Sequence, residues 1–177
     1  FTTHQIRERV AGLGREISQD YAGQHLVLVG TLRGMVCFMA DLMREISLSI
    51  SIDFVGISSY SLDGSENADK GVRITKELDL DIAGQNVLVV EDIVDTGMTL
   101  NYILRYLESW KPANLSVCTL LDKQIRRLVT VPLAYVGFET PDEFNVHHHI
   151  LKTDHDTYFL IDAEIEYHPC PAECDEQ

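Results

Sequence analysis

Residues 87–100 read VLVVEDIVDTGMTL, and the fold of the chain turns on this stretch. Val87 to Val90 are four apolar residues with high strand propensity, the strongest strand signal in the chain. Two carboxylates, Glu91 and Asp92, close the run, and a short loop follows with Asp95, Thr96, Gly97, Met98 and Thr99. Helical spacing then runs from Thr99 to Trp110 through Leu100, Ile103, Leu104 and Leu107, and Lys111-Pro112 ends it. A buried strand that ends in acids and turns through glycine into a helix is a building unit of parallel α/β sheets. Ligands of such sheets bind beyond the carboxyl ends of the strands.

The segments on either side extend the same reading. Ile6, Val10, Leu13, Ile17 and Tyr21 form the stripe of an amphipathic helix, and LVLVG (26–30) fits a buried parallel strand. Residues 34–44 read as a mostly buried helix, and 50–60 have strand composition. SLDGSENADKG (61–71) reads as an exposed loop, and VRITKEL (72–78) as a short strand. LSVCTLL from Leu115 and LAYVGF from Leu133 supply two more strands. Alternating strands and helices predict an α/β fold with a mostly parallel sheet flanked by helices.

At 177 residues, one domain with one core is expected. The 45% hydrophobic content excludes a disordered chain, and no apolar run is long enough to span a membrane. The opening FTTHQIRERV lacks the features of a signal peptide, and the start at Phe1 without Met reads as a trimmed start. Net charge is 14 − 28 = −14, which disfavours nucleic acid as a partner. Half of that charge falls in residues 147–177, which carry one base, eight acids and five of the seven His. Cys37 and Cys118 lie in apolar runs and read as buried. With only four Cys in the chain, a reducing compartment, the cytoplasm, is expected.

The 95–99 loop offers backbone N–H groups, two hydroxyls and a helix N-terminus, which together favour a phosphate dianion. Gly97 lets the backbone curl tightly. Glu91 and Asp92 suit vicinal hydroxyls, or Mg²⁺ held through water. The same residues also read as a turn with an N-cap, and the loop is not a Walker A motif.

The sequence EDIVDTGMTL (91–100) resembles the phosphoribosyl-pyrophosphate (PRPP) signature of type I phosphoribosyltransferases, in the form of the hypoxanthine-guanine branch. LVGTLRGMVCFMADL (28–42), Ser58-Ser59-Tyr60, TLLDKQIRR (119–127) and YVGFETPDEF (135–144) resemble further segments of that branch, in order. The resemblance runs from about residue 4 to 146 and implies that fold, with a small hood built from the chain ends. It implies transfer of 5-phosphoribosyl from PRPP to N9 of hypoxanthine or guanine, giving IMP or GMP and pyrophosphate, with Mg²⁺.

By the same resemblance, Glu91 and Asp92 contact the ribose and Mg²⁺, and Asp95 takes or shares the proton of purine N7. Thr96, Gly97, Met98 and Thr99 join Asp95 in cradling the 5′-phosphate. Leu32, Arg33 and Gly34 bind pyrophosphate through a cis peptide before Arg33, and Arg127 approaches it. Lys123 donates to the 6-oxo group, Phe144 stacks on the base, and the Asn145 main chain meets position 2. Ser59 and Tyr60 close over the site. A homodimer or homotetramer is implied.

The pattern stops after Phe144. Leu151 stands where the family carries a metal-binding Asp, with Asp154 or Asp156 as candidate substitutes, and no Arg follows Arg127. The predicted division is a transferase domain over 1–146 and a divergent acidic, His-rich segment over 147–177 on or beside it. His147-His148-His149, Asp154-His155-Asp156 and His168-x-Cys170-x₃-Cys174 are metal-ligand types, yet a solvated tail with one strand, 158–165, fits better. The altered pyrophosphate side leaves a second reading open: a non-catalytic sensor of nucleotides or PRPP.

Overall fold

The computed structural model describes residues 1–61, 70–140, 150–152 and 158–160. Helix α1 (Thr3–Asp20) opens the chain, capped by a reciprocal bond pair between Thr2 and Gln5. Strand β1 (Leu26–Leu32), helix α2 (Val36–Glu45), and strands β2 (Ile50–Ser61) and β3 (Lys70–Lys76) follow. Then come β4 (Asn86–Val94), helix α3 (Met98–Glu108), β5 (Asn114–Asp122) and β6 (Tyr135–Glu139). One turn of 3-10 helix, Gln124–Arg126, lies between β5 and β6.

These six strands form one sheet in the order β3-β2-β1-β4-β5-β6. All neighbours pair in parallel except β2 with β3. Period-two alternation explains the two cores. Leu26, Leu28, Leu88, Val90 and Cys118 face α1 and α2, whereas Val27, Val29, Val87, Val89 and Val117 face α3. Strands buried on both faces read as continuous apolar runs for this reason. Helices α1 and α2 approach closely at Gly14, where a Cβ would sit 2.4 Å from Glu45 Cβ.

Several expectations shift. Helix α2 is amphipathic rather than mostly buried: Phe38, Met39 and Leu42 face the core while Val36 is exposed. Cys37 lies off that face and is only half-buried, whereas Cys118 is buried as expected. The strands flanking the expected 61–71 loop reach inward to Ser61 and from Lys70, because β2 and β3 pair as far as Ser61 and Lys70. In the tail, β7 (Ile150–Lys152) and β8 (Tyr158–Leu160) pair antiparallel, so Leu151 is a strand residue. The sequence reading had only the second of these strands, and its extension to 165 lies outside the described residues. Strand β7 runs beside α2.

Candidate active site

The order of β2, β1 and β4 makes the carboxyl ends of β1 and β4 a topological switch point. The chain leaves β1 toward β2 on one side, while β4 lies on the other. Gly30 is in register with Val90, so Thr31 and Glu91 are the next neighbours along the two strands. The Thr31 hydroxyl donates to Glu91 Oε1 at 2.6 Å in a buried contact. Directly after Thr31, the Leu32–Arg33 peptide is cis, as the resemblance implied. Arg33 is exposed, and Leu32 and Gly34 are half-buried.

Glu91 and Asp92 are both buried, and the Ile93 N–H donates to Asp92 Oδ1 at 2.8 Å. Burial, then the neighbouring charge of Asp92, pushes the Glu91 carboxyl up to about 8, against the bond from Thr31. Two adjacent carboxylates suit a hard cation that fills the rest of its shell with water and a phosphorylated ligand. No cluster of three or more metal-ligating side chains occurs among the described residues.

The loop after β4 turns sharply into α3. Gly97 occupies the N-cap position of α3 with φ 81° and has no side chain with which to cap it. An L side chain there would also collide, since a Cβ would sit 2.6 Å from the Val129 carbonyl. At the start of α3, Met98 N donates to Thr96 Oγ1 in a long contact of 3.4 Å, and backbone N–H groups at a helix start suit an anion. Thr96 and Asp95 are half-buried, and Met98 and Thr99 are exposed at the mouth. Asp95 Oδ1 is a buried acceptor with no hydrogen-bond partner among the described residues.

Strand β5 delivers the third wall. Lys123 follows its last residue, lies almost fully buried, and its N–H donates to the Val94 carbonyl at 2.9 Å. The Asp122 carbonyl accepts from Thr140 N at 2.8 Å and from the Thr140 hydroxyl at 3.2 Å, which anchors the chain entering 141–149. The Arg127 guanidinium meets the Asp122 carboxylate and donates from Nε to the Asp95 carbonyl at 3.0 Å.

The structure thus brings Glu91, Asp92, Asp95 to Thr99, Leu32 to Gly34, Lys123 and Arg127 to one end of the sheet. Ser59 and Tyr60 pair with Val72 and Gly71 near the end of the β2–β3 ladder. Phe144, Asn145, Asp154 and Asp156 lie outside the described residues. Thr31 and Asp122 went unread in the sequence. Each is a polar residue that follows an apolar run near the end of its strand, which is the available signal.

A family model described as phosphoribosyl transferase domain matches residues 1–153. The chain belongs to the phosphoribosyltransferase family. It is 49% identical over 146 residues to the hypoxanthine phosphoribosyltransferase of Haemophilus influenzae, covering 81% of this chain and 80% of that one. The hypoxanthine-guanine phosphoribosyltransferase of Mycobacterium avium is 47% identical over 152 residues, covering 82% and 73%. A crystal structure of hypoxanthine phosphoribosyltransferase from Staphylococcus aureus superposes with a TM-score of 0.74, at 41% identity, over 83% of this phosphoribosyltransferase and 80% of that chain. The family signature coincides with the switch-point site described above. No helix among the described residues is long and apolar enough to cross a membrane.

Proposed function

We propose that this phosphoribosyltransferase moves 5-phosphoribosyl from PRPP to N9 of hypoxanthine or guanine, releasing IMP or GMP and pyrophosphate. The observation that carries the reading is Asp95, whose buried Oδ1 has no partner among the described residues, in the loop that enters α3. A carboxylate in that position accepts the proton that N7 must shed as N9 attacks C1′. Below it, Thr96, Thr99 and the N–H groups of the 96–99 turn hold the 5′-phosphate, which sets C1′ against N9.

Glu91 and Asp92 accept from the ribose hydroxyls and offset the positive charge that grows on the ring as pyrophosphate departs. They also hold Mg²⁺, which when bound neutralises charge on the leaving pyrophosphate. Leu32, Arg33 and Gly34 bind that pyrophosphate through main-chain N–H groups and the exposed guanidinium. Lys123 donates to the 6-oxo group, so a 6-amino purine would set donor against donor. Phe144 stacks on the base, Asn145 meets position 2 through its main chain, and Ser59 and Tyr60 close over the site to exclude water. In this reading residues 1–146 are the transferase domain, 147–177 pack on it or extend it, and Asp154 is the candidate ligand of a second Mg²⁺. A homodimer or homotetramer in a reducing cytoplasm fits the family and the free thiols of Cys37 and Cys118.

The test is nucleotide formation from PRPP with hypoxanthine, guanine, xanthine and adenine at millimolar Mg²⁺. IMP and GMP are expected and AMP is not. Asp95→Asn should lower kcat by a factor on the order of 10²–10³. Nucleotide binding without product from any 6-oxopurine would favour a sensor instead. That alternative finds no support among the relatives named above, whose names are those of transferases.

A further inference from the structure

The loop that would hold the 5′-phosphate rests on the segment after Lys123 through a set of contacts that point one way. Arg127 Nε donates to the Asp95 carbonyl at 3.0 Å, and Arg127 Nη2 lies 3.5 Å from the Val94 carbonyl. Next along the loop, the Thr96 carbonyl accepts from Leu128 N at 2.9 Å and Val129 N at 3.1 Å. Gly97 then packs so closely that a Cβ would meet Val129 O at 2.6 Å and Arg127 Cδ at 2.9 Å. On its other side, Arg127 is held by the buried Asp122 carboxylate at the end of β5.

We propose that Arg127, locked by Asp122, is a positioning residue for the 5′-phosphate loop and does not itself touch pyrophosphate. The physical reason lies in the planar trans peptide, where C=O and N–H point in opposite directions. Among the described residues the cis bond is Leu32–Arg33, and the peptides joining Asp95 to Thr96 and Thr96 to Gly97 are trans. Pulling the Asp95 and Thr96 carbonyls down onto residues 127–129 turns the Thr96 and Gly97 N–H groups up and outward. Those two donors, with the α3 N-terminus, form a concave anion nest. The Arg127 charge is already paired with a buried acid, so little of it is left for a leaving pyrophosphate. Its contribution is the fork geometry, which reaches a carboxylate and a carbonyl at once.

This inference rests on the transferase reading, and calorimetric titration separates the two. Wild type, Arg127→Met and the charge-neutral pair Asp122→Asn/Arg127→Met are titrated with IMP, PRPP and pyrophosphate in the presence of Mg²⁺. The double variant keeps the measurement alive should an unpaired Asp122 unfold the single one. Wild type should bind all three ligands. Both variants should lose affinity for IMP and PRPP by a similar factor, on the order of tenfold to a hundredfold, as expected for a misplaced binding group. Pyrophosphate binding should stay at the wild-type level. Loss of PRPP and pyrophosphate binding with IMP intact would overturn the inference, because Arg127 would then contact pyrophosphate. Equal loss of all three ligands, or loss of none, would overturn it as well. Wild-type protein that binds neither IMP nor pyrophosphate would sink the transferase reading and this inference with it.

Discussion

The Thr31 hydroxyl donates to Glu91 Oε1 at 2.6 Å across the gap where β1 and β4 end side by side. It ties the strand that leads into the cis Leu32–Arg33 peptide to the strand that carries the two carboxylates. The bond favours the ionised carboxylate, while burial and Asp92 oppose it. Thr31 therefore fixes the orientation of Glu91 and lowers the cost of ionising it.

Thr31→Val keeps the shape but leaves a buried carboxylate oxygen without this donor. The KM for PRPP should rise by about tenfold, the usual scale for one hydrogen bond to a charged group, with the KM for hypoxanthine nearly unchanged. Thr31→Ser should restore the wild-type value. Steady-state kinetics with each substrate varied in turn checks this, and a shift confined to hypoxanthine would contradict it.

Glu91 is held in a state that costs stability. Its folded pKa of about 8 lies above the ordinary 4.5, so the folded chain binds more protons than the unfolded one between those values. Stability without ligand should fall as pH rises through this window and level off above about 8. Glu91→Gln removes the titration and should stabilise the ligand-free protein by about 2–4 kcal/mol at high pH, while abolishing turnover. Urea unfolding at pH 5 and pH 8.5 tests the sign. An equal gain at both would place the effect in packing instead.

Asp53 works in the opposite direction. Burial opposes its charge, yet the N–H groups of Leu80, Phe54 and Asp79 and the Lys76 ammonium hold its carboxyl below the usual range. Asp79 N and Leu80 N donate to one oxygen at 2.7 and 2.8 Å, tying β2 to the turn after β3. Because the folded value is depressed, its stabilisation is present at neutral pH and is lost as pH falls through that value. Asp53→Asn should cost about 2 kcal/mol at pH 7 and progressively less in acid. Chemical denaturation across pH measures the convergence; parallel curves would refute it.

Gly97→Ala places a Cβ against the Val129 carbonyl at a residue whose φ is 81°. A loss of about 1–2 kcal/mol in stability is expected, since Ala is strained there and the loop must lift. IMP affinity should fall more steeply than pyrophosphate affinity. Thermal unfolding and titration of both ligands give the comparison.

Much of the fold was legible because it is written in neighbouring residues. The run from Val87 to Val90 and the spacing Leu100, Ile103, Leu104, Leu107 each answer to a period set by local backbone geometry. All of the strands and helices of the main sheet were readable in this way, with ends shifted by a few residues. Helix α2 looked more buried than it is, because apolar residues at Val36 and Cys37 sit off the core face. The β7 strand was missed because three residues carry no period.

The motif at 91–99 disclosed the family, since turn type and carboxylate pairing belong to short segments. What the sequence by itself determined, then, is a mostly parallel α/β sheet with the family signature in the loop after a central strand. Tertiary structure alone decided that Thr31 meets Glu91 from 60 residues away, and that Arg127 serves the Asp95 carbonyl from 32 residues away. It also decided that burial beside Asp92 pushes the Glu91 carboxyl up. Those facts depend on strand register and on the dielectric of a buried pocket, and both come into being only when distant strands lie side by side.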